Sequence, residues 1–235
     1  MKKYLILINI LFFNIAYTQI KYNISIKEKI NTNQFIIKIE LNNLSNNSYV
    51  IPVDTTGFKA FYPDEMCWIG STESIYKYFS PTILLQNSIN NKNIEAYSRS
   101  YDLSEESIPR VEKYLDSIAQ KRKILIQDWA NKENIKDIKI AEKNFYLTKN
   151  LVILKSKQSF SYNILLDISN IKRSDLLSFD SYLISPNLEY NFSSVICIDN
   201  KIYNYLTKRQ KDKYKKYKFF TGQIVSNKIE SNYKH

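Results

Sequence analysis

Glycine, cysteine and histidine are nearly missing from this chain: among 235 residues there are three, two and one. Each scarcity removes a class of chemistry. The lone histidine is the final residue, His235. A Ser-His-Asp or Cys-His nucleophile pair would therefore have to draw its base from a frayed terminus, and the H-E-x-x-H zinc pattern is absent. The glycines, Gly57, Gly70 and Gly222, stand far apart. No phosphate-cradling loop or dinucleotide turn can be built from them, and Gly70-Ser71 does not extend into a nucleophile elbow. The cysteines, Cys67 and Cys197, show no C-x-x-C spacing, which removes a structural zinc knuckle. No cofactor is expected.

What is present begins with an export pattern. Lys2 and Lys3 precede an apolar run from Leu5 to Phe13 broken only by Asn9, and Ala16-Tyr17-Thr18 puts small residues before a cut ahead of Gln19. Charge, short apolar run and small-x-small is the order a signal peptidase accepts. The run is short of the roughly 20 residues that span a bilayer. Residues 1–18 are thus expected to be a signal peptide, and no transmembrane segment is expected in the mature chain. The destination is the periplasm, the cell surface or the medium. In that oxidising setting Cys67 and Cys197 become a candidate disulfide, both lying in apolar, strand-like stretches. A bridge closing so long a loop would contribute about 4–5 kcal/mol through chain entropy. The competing reading is two separate buried thiols.

The mature chain reads as mainly β. Tyr22, Ile24 and Ile26 alternate with polar partners, as do Phe35, Ile37, Ile39 and Leu41, and Tyr49 to Pro52 is a short strand. The pattern returns after Leu151–Leu154, along Phe160 to Ile168 and Leu188 to Ile198, with Asp199-Asn200 as a turn and a last strand from Phe219 to Val225. Between these blocks the period changes. Ile108, Val111, Leu115, Ile118, Leu125 and Trp129 fall at three-and-four spacing, with Asp102 and Glu105 placed as a capping box and Pro109 in the first turn. A helical insertion of about residues 103–130 is expected, packed over the sheet or the segment from Ile75 to Leu85. A shorter helix is expected to start at Thr207. With no visible linker, residues 19–235 read as one domain. The stretch Phe35 to Asn43 followed by Tyr49 to Pro52, and Lys157 to Ser159 leading into the Phe160 alternation, resemble the paired strands of exported immunoglobulin-like sandwiches. That resemblance implies an antiparallel two-sheet β-sandwich and carries no function.

Charge is the remaining signal. The formal net charge is +11, and the two lysines of the export segment leave +9 on the rest. An AT-rich genome inflates lysine, yet a balance of this size favours anionic partners. Lys208, Arg209, Lys211, Lys213, Lys215, Lys216 and Lys218 face one acid, Asp212, with Tyr214 and Tyr217 interleaved. The tract is either a site for anionic surfaces or a solvated helix face over a buried stripe of Tyr203, Leu206, Tyr214 and Tyr217. Export disfavours nucleic acid as partner and points to protein or to envelope surface, polysaccharide or phosphate-bearing. Asp54, Asp64 and Glu65 beside Trp68 could serve glycoside cleavage or calcium, although no D-x-D-x-D-G run occurs. Trp129 reads as core. The expectation is an exported, non-enzymatic binding protein of the bacterial envelope. The alternatives are a small envelope inhibitor or immunity-type protein and a carboxylate-dependent carbohydrate hydrolase. N-terminal sequencing of exported protein should begin at Gln19, and its non-reduced mass should fall about two hydrogens below the reduced mass. An uncut N-terminus, or equal masses, would refute the corresponding expectation.

Overall fold

A computed structural model describes residues 19–64, 77–174, 176–185 and 188–231. Residues 1–18, expected to be a signal peptide, and Glu65, Cys67, Trp68, Gly70 and His235 lie outside the described residues. In chain order, β1 (Ile20–Lys29) and β2 (Gln34–Asn43) form a hairpin, followed by β3 (Tyr49–Pro52), β4 (Thr82–Asn87), β5 (Asn93–Ile94) and β6 (Tyr97–Ser100). Two helices come next, α1 (Ile108–Glu133) and α2 (Ile138–Lys149). Strands β7 (Leu151–Leu154), β8 (Ser159–Asp167), β9 (Ile171–Lys172), β10 (Ser178–Ser181) and β11 (Tyr190–Ile198) lead to a 3-10 turn, Asn200–Tyr205. The chain closes with α3 (Lys208–Tyr214), β12 (Lys218–Phe219), β13 (Gly222–Val225) and β14 (Ile229–Ser231).

The protein is mainly β, with several antiparallel sheets and no barrel among the described residues. One sheet runs β1-β2-β8 and another β13-β11-β4-β5, with β14 also paired to β11. A third, β12-β3-β7, contains the parallel pair β12–β3, and a fourth is β6-β10-β9. The expected alternation holds on β1, β2 and β8: Ile20, Tyr22 and Ile24, then Phe35, Ile37, Ile39 and Leu41, then Ile164 and Leu166 point into the core. These residues share one apolar cluster with Ile83 and Leu85 of β4, Phe192 and Ile196 of β11, and Ile224 of β13. Phe35 and Phe192 meet edge to face, their centroids 5.4 Å apart. Strand β11 departs from simple alternation, since Ser193 and Val195 are buried along with Phe192, Ser194 and Ile196. It lies between β4 and β13, and polar Ser194 is accommodated because its hydroxyl donates to the Thr82 carbonyl at 2.9 Å.

The helical region is longer than expected and starts later. Helix α1 begins at Ile108, with Ser107 at the cap position and no side-chain cap bond, so the Asp102–Glu105 box does not form. Proline explains the late start. A helix opening near residue 103 would need an N–H at position 109 to reach the carbonyl of Glu105, and Pro109 has none. At the far end Asn134 adopts a left-handed conformation (φ 54°), and the Ile135 N–H reaches back to the Ala130 carbonyl at 2.9 Å. Helix α2 then follows from Asp137, whose carboxylate accepts from the N–H groups of Lys139 and Ile140. Helix α1 packs on α2 through Ile126, Ala130 and Ala141, with Ile135 and Phe145 closing this small cluster. Among the described residues no helix is long and apolar enough to cross a membrane.

Two other expectations are corrected. Asp199-Asn200 is not a tight hairpin turn: Asp199 caps the 3-10 turn by accepting from the Lys201 N–H at 2.7 Å. The last strand is split into β12 and β13, and Gly222, the first residue of β13, has φ 110°. The short helix from Thr207 forms as expected, with Thr207 and Gln210 in a reciprocal capping box.

Buried tyrosines tie these layers together. Tyr146 of α2 stacks on Phe79 at 5.1 Å and donates its hydroxyl to Asp54 at 2.6 Å. Burial pushes the hydroxyls of Tyr22, Tyr146, Tyr162, Tyr182 and Tyr203 well above the ordinary phenol range. Burial likewise pushes Tyr78 up to about 12. Their folded values exceed that of the unfolded chain, about 10. The stabilisation is therefore complete below pH about 10 and is lost as pH climbs toward the folded values. In an alkaline titration, Tyr22, Tyr146, Tyr162, Tyr182 and Tyr203 should ionise only as far-UV circular dichroism collapses. Smooth ionisation of these five with the dichroism intact would contradict the burial.

Candidate functional site

A cleft of about 560 Å³ opens where the C-terminal end of α1, the second half of α2 and α3 meet. Its wall carries three rings, Trp129, Phe145 and Tyr214, and three ammoniums, Lys132, Lys149 and Lys213. Ring and cation come in local pairs set by helical spacing. Lys132 Nζ lies 5.5 Å from the Trp129 ring centre, Lys149 Nζ 5.9 Å from Phe145, and Lys213 Nζ 5.4 Å from Tyr214. The first two pairs are three and four residues apart, neighbours on a helix surface. Each contact is of the cation–π kind, worth about 0.5–1 kcal/mol where solvent reaches it. Trp129 and Phe145 meet edge to face at 5.4 Å and 75°, so they form a corner.

Behind this wall two amides hold the three segments in place. Asn144 is fully buried and Gln210 is 8% exposed. The Asn144 amide nitrogen donates to Gln210 Oε1 at 2.6 Å and to the Tyr205 carbonyl at 2.6 Å. The Gln210 amide nitrogen donates to Asn144 Oδ1 at 3.1 Å and to Glu133 at 3.0 Å. Asn144 Oδ1 also accepts the Trp129 indole N–H at 2.8 Å, and Gln210 Oε1 accepts the Thr207 N–H at 2.9 Å. Both amides thus use their two N–H donors and two acceptor positions. Flipping either one would set donor against donor, so the orientation is fixed by the network. A saturated buried network of this kind specifies one arrangement.

Glu133 completes the assembly. Its side chain is 5% exposed, and besides Gln210 it accepts from the Arg209 guanidinium at 2.7 Å. Arg209 itself is 72% exposed, so solvent screens the pair and its contribution is about that of a surface bridge, roughly 1 kcal/mol or less. With Glu133 and Arg209 paired, the wall keeps the positive charge of its three lysines.

The residues expected to bind anionic surfaces are spread over three consecutive elements. Helix α3 ends at Tyr214, so Lys208, Arg209 and Lys211 lie on it, Lys215 caps it, and Lys216 and Lys218 belong to the following turn and strand. All are exposed. Of these six only Arg209 lines the cleft, where Lys213 and Tyr214 from the same tract join it. The expected aromatic stripe divides as well: Tyr203 and Leu206 are buried, whereas Tyr214 and Tyr217 are only half-buried. Trp129 is half-buried and belongs to the cleft wall as well as to the packing of α1 on α2. Lys132, Phe145 and Lys149 were not singled out by the sequence. The Trp-x-x-Lys and Phe-x-x-x-Lys spacings were the available signal.

Asp54 is 4% exposed, and its oxygens accept from the Thr56 N–H, the Thr56 hydroxyl and the Tyr146 hydroxyl. Asp64 is exposed. Asp54 is therefore a structural tie between the chain after β3 and α2. Cys197 lies on β11 opposite Gln223, half-buried against the core. Its candidate partner Cys67 lies outside the described residues.

The amide network predicts unequal effects of two substitutions. Asn144→Ala strands Gln210, the Trp129 indole and a backbone carbonyl, and should destabilise by roughly 2–3 kcal/mol or more in urea unfolding. Arg209→Ala should cost about 1 kcal/mol or less. Equal effects would mean the amide pair does not hold the cleft.

Comparison with family models, with curated proteins and with solved structures finds no match to this chain, so its function is argued from the chemistry of the cleft.

Proposed function

We propose that this protein is an exported, non-enzymatic binding protein of the bacterial envelope and that the α1–α2–α3 cleft is its ligand site. The observation that carries the reading is the cleft wall, in which rings and unneutralised ammoniums alternate in front of a saturated amide network. A wall of that kind is built to hold something apolar on one side and anionic on another, with little reorganisation on binding. The carboxylate in the cleft, Glu133, is engaged by Arg209 and Gln210, which suits a scaffold role better than proton transfer. Export accounts for the partner class: outside the cytoplasm the abundant anions are phosphate-bearing and acidic polysaccharide surfaces.

Two further parts of the reading concern the frame. An immunoglobulin-like sandwich is the arrangement we favour, with the β1-β2-β8 sheet facing the sheet centred on β4 and β11. Support comes from the shared apolar cluster and the Phe35–Phe192 contact. The helices α1 and α2 are then an insertion carried by a single domain, and a Cys67–Cys197 bridge would tether β11 to the chain between β3 and β4.

The test is retention of the purified mature chain on isolated envelope fractions over a salt series. Retention should fall as salt rises. It should also fall at least several-fold when Lys149 and Lys213, both exposed, are changed to Glu. Undiminished retention of the double variant, with unchanged circular dichroism, would remove the cleft from the interaction.

A further inference from the structure

We propose that the cleft takes a phosphorylated saccharide, its ring against Trp129, Phe145 and Tyr214 and its phosphate among Lys132, Lys149 and Lys213. This rests on the reading of the cleft as a ligand site and names what fills it. Size comes first. A volume of about 560 Å³ lies within the range of about 300–1,000 Å³ for small-molecule sites and holds one or two sugar rings.

Charge narrows the choice. Glu133 is already met by Arg209, and none of the three lysines is ion-paired with a carboxylate among the described residues. The three exposed ammoniums favour a ligand that brings negative charge. The guanidinium, whose planar fork suits a carboxylate, is turned to Glu133. What remains for the ligand is three compact ammonium charges. A phosphomonoester, with charge of about −1.5 to −2 at pH 7 and three acceptor oxygens, satisfies several such charges at once. A single carboxylate satisfies fewer.

Ring geometry then selects the body that carries the phosphate. Trp129 and Phe145 form a corner at 75°, and Tyr214 is likewise set edge-on, at 73°, to Phe219 behind it. A flat nucleobase gains most from one broad ring face or a parallel slot, which a corner does not offer. A puckered saccharide presents C–H groups in several directions and can touch both walls of the corner. Because each ammonium sits beside a ring, sugar and phosphate are engaged together. Inorganic phosphate would use only the lysines and a neutral sugar only the rings.

Calorimetric titration of the mature chain with five probes decides it: a hexose 6-phosphate, the parent hexose, inorganic phosphate, a hexuronate and a nucleoside monophosphate. The hexose 6-phosphate should bind saturably and at least tenfold tighter than each of the others. Lys149→Glu with Lys213→Glu should weaken it at least tenfold, and Tyr214→Leu several-fold, with circular dichroism unchanged in both. Inorganic phosphate, hexuronate or nucleotide binding as tightly would overturn the proposal, as would saturable binding that both variants leave intact. Absence of binding by all five probes would also overturn it. In that case, salt-sensitive envelope retention that still depends on Lys149 and Lys213 would leave the ligand-site reading standing. Loss of that dependence would remove both.

Discussion

The pairing of Asn144 with Gln210 is the interaction on which the helical half of the molecule depends. Two amides face each other out of water, each giving and receiving one bond, and their remaining positions reach four other residues in three parts of the chain. Trp129 and Glu133 tie in α1, Tyr205 ties in the 3-10 turn after β11, and the Thr207 N–H ties in the start of α3. A buried polar group without partners costs about 1–3 kcal/mol, so all of these groups must be in place together. Gln210 does double duty, because the same side chain that enters the network also closes the capping box of a helix only seven residues long. A helix that short is not stable by itself. The network is what lets Lys213 and Tyr214 stand at a fixed place on the cleft wall.

Helix α2 transmits this order to the β core, and it does so by being covered on two sides. Ala141 and Phe145 face α1, whereas Tyr146 and Leu147 belong to the main apolar cluster beneath the sheets. Tyr146 adds the bond to Asp54, and the Val53 N–H reaches the Asn150 carbonyl at 2.8 Å, so the end of β3 is fastened to the end of α2. The position of the cleft relative to the sheets is therefore set by one helix packed from both sides. Changes at Asn144 and at Tyr146 act on opposite faces of that helix, which separates damage to the cleft from damage to the core.

This double burial also explains what the sequence could and could not convey. Strands with one buried face, such as Phe35 to Leu41 and Phe160 to Ile168, alternate cleanly and were legible. So was α3, because Thr207 and Gln210 stand at capping-box spacing next to a lysine tract. Helix α2 was not, since a helix packed on opposite sides shows no single apolar stripe, and the buried positions include a polar residue, Asn144. Helix α1 was legible in its period but not in its ends. Pro109 looked compatible with an earlier start until the hydrogen bond it cannot make is counted, and the Asn134 turn carried no glycine to mark it. The cleft was the least legible feature. Its wall comes from three stretches, 129–133, 145–149 and 209–214, and only the last of them drew notice through its charge.

The basic tract shows how tertiary placement changes the meaning of a charge run. Read linearly, seven cations against Asp212 form one patch. In the fold the run crosses a short helix, a turn and a strand, and of its seven cations Arg209 and Lys213 line the cleft. Three exposed ammoniums from α1, α2 and α3 stand on the wall of one cleft, each over a half-buried ring. On the proposed reading of the cleft, affinity for an anion follows which lysines line its wall, two of them, Lys132 and Lys149, far from the tract in sequence, more closely than the number of lysines in the tract.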